Sequence, residues 1–136
     1  MERRRGRGAG RHYKNESIQL TTFTKTKLSG STNGKNLKVV ATSTPGTLIH
    51  TAVSGTTNWD EIYLFAVNTD TVTRTLTVEF GGVASPDDLI EIDLESQKGA
   101  YLVIPGWLLQ NALVVRAFGS AANVIVCNGY VHNLVA

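Results

Sequence analysis

Residues 89–95 read LIEIDLE, and they show the most regular alternation of apolar and charged side chains in the chain. Ile90, Ile92 and Leu94 share one parity, whereas Leu89 and three carboxylates share the other. A period of two is typical of a β-strand with one face buried and the other in water. Residues 89–95 therefore predict a strand whose carboxylates lie together on an exposed face.

The two stretches before this strand also predict strands. Residues 71–80, TVTRTLTVEF, place valine, leucine and phenylalanine on one parity, with threonines and Glu79 on the other. Threonine favours strands, so the second set is the expected solvent face of a sheet. Residues 60–68, DEIYLFAVN, are apolar on both parities. That pattern predicts a central strand that is covered on both sides.

The rest of the chain is divided by glycine, proline and asparagine turn signals into further short strands. They are expected at residues 17–23, 37–43, 47–53, 100–106, 113–119 and 123–135. Pro105 should end the fourth of these, because proline cannot donate to a central ladder, and Asn128-Gly129 should interrupt the last. The only helical candidate is residues 107–113, WLLQNAL, which could form about two turns.

These patterns predict an all-β protein. The 136 residues, of which 42% are apolar and 18% charged, fit one domain with a single core. About eight strands favour an antiparallel, jelly-roll-like β-sandwich of two four-stranded sheets. An immunoglobulin-like strand order stays open, because one sequence does not give the pairing order.

Positive charge is concentrated at the start of the chain. The formal net charge of +2 combines a strongly basic first segment with an acidic remainder. The basic residues of this segment are Arg3, Arg4, Arg5, Arg7, Arg11 and Lys14. Its glycines and lack of large aliphatic side chains leave too little apolar surface to offset the entropy of ordering. We therefore expect residues 1–16 to form a flexible basic arm and residues 17–136 to form the sandwich.

Arginine offers a forked donor that suits phosphate and carboxylate groups. The arm is therefore expected to bind an anionic partner through its arginines and Lys14. That partner could be the acidic region of a neighbouring copy at residues 60–95. A solubilising segment without a partner is the alternative.

The residue types that carry catalysis are scattered. His12 lies in the arm, His50 is expected to be packed or on the surface of a strand, and His132 is expected to face water near a strand end. Cys127 lies in an apolar run and predicts a buried, inert thiol. We expect no catalytic constellation, and hence no enzyme.

Metal, cofactor and membrane signals are equally weak. Asp87-Asp88 could bind calcium, but a turn with two hydrated carboxylates is the commoner arrangement. Trp59 and Trp107 are expected as plugs at the rims of the sandwich. One cysteine cannot form an internal disulfide or a cysteine-based zinc site. No apolar run reaches the roughly 18 residues of a membrane span, and no secretory leader is evident, so we expect no cofactor, metal or membrane partner.

Three stretches resemble small virion proteins of tailed bacteriophages. They are TPGTLIHTAVSGTTNWDEIYLFAVNT at 44–69, LTVEFGGVASPDDLIEIDL at 76–94 and GAYLVIPGWLLQNALVVRAFGSAANVIVCNGYVHNL at 99–134. The resemblance implies a non-enzymatic β-sandwich in the virion that decorates or cements the capsid, or joins neck or tail components. It also implies a homo-oligomer that contacts other virion proteins. On this resemblance, the partner of the arm could also be an acidic capsid surface or packaged DNA. The alternatives are a jelly-roll coat protein whose arm contacts the genome and, more remotely, a sugar-binding module.

Overall fold

The computed structural model describes residues 22–136, which form nine β-strands and no helix. The predicted arm, the domain boundary at residue 17 and most of the predicted strand at 17–23 lie outside this range. The strands are β1 (Thr22–Lys27), β2 (Leu37–Lys38), β3 (Thr47–Thr51), β4 (Trp59–Asn68), β5 (Arg74–Phe80), β6 (Leu89–Leu94), β7 (Tyr101–Leu109), β8 (Val114–Gly119) and β9 (Ile125–Val135).

Two antiparallel sheets form a β-sandwich, which confirms the predicted fold class. Sheet A has the order β1-β9-β4-β7, with β2 also paired to β9, and sheet B has the order β3-β8-β5-β6. From β2 onward, every connection except the β5–β6 hairpin crosses between the sheets. This is the strand order of a jelly roll, not of an immunoglobulin domain.

The core lies between the sheets and is built from alternate residues of the strands. It includes Ile62, Leu64 and Ala66 of β4 and Leu76 and Val78 of β5, all fully buried. Each of the leucine, isoleucine and valine side chains contributes about 1.5–3 kcal/mol when it is removed from water. On β6, Leu94 is buried, and Ile90 and Ile92 pack against the core. Glu91 and Asp93 are exposed, as the alternation predicted.

The prediction that β4 is covered on both sides was wrong. The strand is central, because it pairs with β9 and β7, but its two faces differ. Its even-numbered residues are buried, whereas Tyr63, Phe65 and Val67 on the other parity are only half-buried. Apolar residues on both parities here mark a central strand with an aromatic outer face.

Two predicted interruptions are also absent. β7 runs through Pro105 to Leu109, so the helical candidate at 107–113 consists of the last three residues of β7 followed by a turn. Proline is tolerated because β7 is the edge strand of sheet A, and register shifts occur on either side of this pairing. β9 passes through Asn128-Gly129 without a break, and a side chain at Gly129 would overlap the carbonyl oxygen of Tyr63 on β4. Gly129 thus marks a close approach of two backbones.

The predicted strand at 37–43 is strand only at Leu37–Lys38. Beyond it, the backbone N–H groups of Val40 and Ala41 donate to Oγ1 of Thr47, at 3.1 and 3.0 Å. The hydroxyl of Thr47 thus accepts two hydrogen bonds that the backbone of a neighbouring strand would otherwise accept. The chain then turns towards β3.

Candidate functional site

A buried polar cluster joins the two sheets. It consists of His50 on β3, Asp60 on β4, Asn133 on β9 and the backbone of Ser29 and Val53. Nε2 of His50 lies 2.7 Å from Oδ2 of Asp60, and both side chains are more than nine-tenths buried. The same oxygen accepts the N–H of Val53 at 3.1 Å, and Oδ1 accepts Nδ2 of Asn133 at 2.8 Å. One carboxylate thus satisfies three donors from separate parts of the chain.

The tautomer of His50 follows from its partners. The N–H of Ser29 donates to Nδ1 at 2.9 Å, so Nδ1 carries no proton and Nε2–H donates to Asp60. The Ser29 hydroxyl accepts the N–H of Thr51 at 2.7 Å rather than contacting the imidazole. The cluster has the composition of a serine–histidine–aspartate triad, but both ring nitrogens are occupied and the hydroxyl is not activated. The geometry of the cluster is that of a structural group whose hydrogen bonds join sheet B to sheet A.

The outer side of sheet A carries a second group of side chains, which we call the aromatic face. It comprises Phe23, Tyr63, Tyr130 and His132, with Lys25 beside them. The rings of Tyr63 and Tyr130 stack with centroids 4.8 Å apart, and the rings of Phe23 and His132 are 4.7 Å apart. Nζ of Lys25 lies 4.2 Å from the centroid of Tyr130, within the range of a cation–π contact.

Two neighbours fix the position of Tyr63. Its ring lies over Gly106, where an added side chain would come within 2.8 Å of the ring. Glu61, on the same face, has its Oε1 2.7 Å from Nδ1 of His132. Partial burial, the Glu61 carboxylate and Tyr130 raise the pKa of Tyr63 above its ordinary value of 10.0, so the phenol stays neutral at physiological pH.

Apolar side chains extend the aromatic face towards the β7 edge. Leu102 and Leu108 pair across from Phe65 and Glu61, so they lie on the same outer side. Leu102 is 51% exposed and Phe23, at the opposite edge, is 57% exposed. A broad, weakly charged surface of this kind suits contact with another flat surface.

The outer side of sheet B is acidic and polar. Oδ1 of Asp93 accepts the hydroxyl of Thr75 at 2.7 Å, and Glu91 lies beside Thr77. Glu79, predicted on the solvent face, is only 1% exposed. Its Oε1 accepts the N–H of Gly46 at 2.7 Å, whereas its Oε2 has no hydrogen-bond partner. The β2–β3 connection places Gly46 over this end of the sheet and buries Glu79. Alternation within β5 alone could not predict this burial.

A small cleft lies at one end of sheet B. Its volume is about 190 Å³, and it is lined by Gly81, Gly82, Val83, Leu113 and Arg116, among others. Pockets that enclose small-molecule ligands are usually about 300–1,000 Å³. The cleft therefore suits a single side chain better than a metabolite.

His50 and His132 each have a carboxylate partner that the sequence analysis did not assign to them. His50 is packed, as expected, but it is paired with a carboxylate that the sequence analysis did not assign to it. His132 was expected to face water without a partner; it is half-buried and bonded to Glu61. Its partner lies 71 positions earlier, so no local pattern could have shown it.

The other candidates are placed as follows. Cys127 is buried, and burial raises the pKa of its thiol to about 12, in agreement with the predicted inert thiol. Asp88 binds its own loop, since Oδ2 accepts the N–H of Ala84 at 2.9 Å. Trp59 begins β4, and Trp107 is 47% exposed and packs edge-on against Phe80. The six basic residues of the arm, Arg3, Arg4, Arg5, Arg7, Arg11 and Lys14, lie outside the described residues.

Within residues 22–136, no three histidine, cysteine or carboxylate side chains are grouped as a metal site would require. The same part of the chain contains no helix of the length and hydropathy needed to cross a membrane. Comparison with known proteins finds no matching family model, curated protein or solved structure.

Proposed function

We propose that the protein is a non-enzymatic structural component of a tailed-phage virion, and that it decorates the capsid through contacts between subunits. The observation that carries the proposal is the aromatic face with its flanking Leu102 and Leu108. It exposes large apolar side chains on a rigid sheet, and monomeric proteins rarely leave such surfaces uncovered. The jelly-roll strand order supports it, since viral capsid domains are among the proteins that use this architecture.

The buried polar cluster supports the non-enzymatic part of the proposal. Asp60 holds the imidazole of His50 by one nitrogen and Ser29 holds it by the other. No ring nitrogen is left to accept a proton from a substrate. The cluster stabilises the sandwich and leaves the outer face to carry the interaction.

The test is binding of the purified chain to phage capsids, with substitutions on the aromatic face. Phe23→Ser combined with Leu102→Ser removes two exposed anchors from opposite edges of this face. Each contributes about 1.5–3 kcal/mol if it is fully buried at the contact. The double variant should therefore bind at least about a hundredfold more weakly.

Val72→Ser is the matched control, because Val72 is 51% exposed, as Leu102 is, but lies in the β4–β5 connection. It should bind as the wild type does. Equal binding by the double variant would refute a role for this face, and absence of the chain from purified virions would refute the function itself.

A jelly-roll coat protein with a genome-binding arm is the second candidate. Lys25 and Lys27 favour it, because they add positive charge on β1 and have no carboxylate partner among residues 22–136. Nucleic-acid binding should then fall steeply with salt concentration. Binding that survives deletion of residues 1–14 would exclude this candidate.

A further inference from the structure

Within the described residues, the edges of the two sheets are formed by β1 with the two-residue β2, by β7, by β3 and by β6. β3 and β7 contain no lysine, arginine, aspartate or glutamate, whereas β1 and β6 do. β1 pairs only with β9, and β6 pairs only with β5. They lie on opposite sides of the molecule, because β6 packs beside β7 and β4 whereas β1 is at the far end of sheet A. All six residues of β1 are exposed. Such edges present free N–H and C=O groups that can pair with another strand.

The two edges carry opposite charges at the same spacing. Lys25 and Lys27 are two residues apart on β1, and Glu91 and Asp93 are two residues apart on β6. Residues at this spacing point to the same side of a strand. In both cases this is the outer side: Lys25 pairs across from His132, and Glu91 pairs across from Thr77.

None of these four side chains has a partner of opposite charge within residues 22–136. Lys25 lies over the ring of Tyr130, and Lys27 approaches the carbonyl of Leu28 at 3.5 Å. The two carboxylates are held by threonine hydroxyls of β5. The charges are thus held in place on each edge but not neutralised.

The charges select among the possible pairings of the two charged edges. Pairing β1 with β1 would set lysines against lysines, and pairing β6 with β6 would set carboxylates against carboxylates. Like charges directly opposite each other in a sheet are destabilising. Pairing β1 with β6 sets two lysines against two carboxylates in either strand direction.

We propose that β1 of one copy pairs with β6 of the next copy, so that sheet A of the first continues into sheet B of the second. The contact joins two different surfaces, and copies therefore assemble head to tail into a ring or an open array. Main-chain hydrogen bonds supply most of the stabilisation, because exposed ion pairs contribute little. The lysines and carboxylates determine which edges meet.

This proposal deepens the proposed function by naming the contact between subunits, but it does not depend on a capsid. A chain that self-associates without binding capsids would refute the decoration function alone. A chain that binds capsids only as a monomer would refute the edge pairing alone.

Edge lysines also have a protective role in many sheets, where they prevent pairing. The two explanations differ in what charge reversal does. If the charges only protect the edges, reversing them should not produce matched assembly between two variants. If the charges select the pairing, reversing them should produce matched assembly between the two variants.

The experiment measures self-association of the full chain by sedimentation velocity. One variant carries Lys25→Glu and Lys27→Glu, and the other carries Glu91→Lys and Asp93→Lys. The first variant is acidic on both edges and the second is basic on both, so each should stay monomeric. An equimolar mixture should assemble, because acidic and basic edges then alternate along the array.

Salt and a matched control complete the test. Raising the salt concentration from about 0.1 M to about 1 M shortens the Debye length from about 10 Å to about 3 Å and should weaken wild-type assembly. Lys35→Glu with Lys98→Glu makes the same charge change in loops and should assemble as the wild type does. A monomeric wild type at low salt, or a mixture that stays monomeric, would overturn the proposal.

Hydrogen exchange provides a second measurement that needs no substitution. Amides of β1 and β6 should exchange more slowly at high than at low protein concentration, whereas those of the buried strand β4 should not change. Unchanged exchange in β1 and β6 in a chain that self-associates would place the contact elsewhere and overturn the proposal.

Discussion

Replacing Asp60 with alanine should test the buried polar cluster most directly. The substitution removes the acceptor of three hydrogen bonds, which come from His50, Val53 and Asn133. The imidazole N–H of His50 is then left in a site from which water is largely excluded, and the other two donors are left in partly buried positions. The imidazole cannot compensate by changing tautomer, because the N–H of Ser29 occupies its other nitrogen.

The magnitude follows from the number of donors left unpaired. A buried donor without a partner costs about 1–3 kcal/mol, and the substitution leaves three donors without theirs. Relaxation around the smaller alanine allows some of these donors to find other acceptors, so we expect a loss of about 3–5 kcal/mol. This is a large part of the roughly 5–15 kcal/mol by which domains are stable. Asp60→Asn keeps the shape and one acceptor, and should cost about 1–3 kcal/mol.

The assay is equilibrium unfolding in urea, followed by the fluorescence of Trp59, which precedes Asp60 in β4. With a slope of about 1.5–2 kcal/mol per M, the midpoint of the alanine variant should fall by about 2 M. Asp87→Ala, in an exposed loop, is the control and should change stability by less than about 0.5 kcal/mol. A loss below about 1 kcal/mol for Asp60→Ala would refute the argument that this carboxylate joins the sheets.

Three further outcomes are expected. Cys127 should resist thiol reagents at neutral pH until the chain is unfolded, because burial raises its pKa to about 12; rapid labelling of the native protein would contradict its burial. The backbone N–H of Thr71 and the guanidinium of Arg74 lower the pKa of Asp70 below 3.8, so its contribution is present above that pH and is lost as pH falls through the folded value. Asp70→Asn should therefore reduce the acid dependence of the urea midpoint, and an unchanged pH profile would argue against these bonds. Gly129→Ala should cost about 1–3 kcal/mol or more in thermal unfolding, because its side chain would overlap the carbonyl of Tyr63; wild-type stability would mean that β9 can move away from β4.

The sequence predicted the strands where local alternation alone determines them. β6 was predicted to within one residue of its observed end. Its position followed from alternation because Ile90, Ile92 and Leu94 can reach the core from only one side of a strand. The strand order did not follow from the sequence, since pairing depends on contacts between segments far apart in the chain. The edge position of β7 explains why Pro105 did not end it.

The candidate sites were harder to predict for the same reason. The partners of His50 and His132 come from other strands, and each pair forms only when β3, β4 and β9 are assembled. Glu79 shows the converse case, in which a side chain with the parity of a solvent face is buried by a distant connection. The apolar side chains on the outer parity of β4 indicate the aromatic face. The sequence does not show that Lys25 of β1 lies beside it.

The place of β9 in sheet A has a consequence for synthesis of the chain. This final strand pairs with β1, β2 and β4, so it connects the beginning of the described chain to its middle. The ribosome synthesises β9 after the other eight described strands, and sheet A cannot close before then. Until that moment β1 and β4 have no neighbour between them, so a nascent or truncated chain that lacks β9 exposes strands that bind chaperones or aggregate.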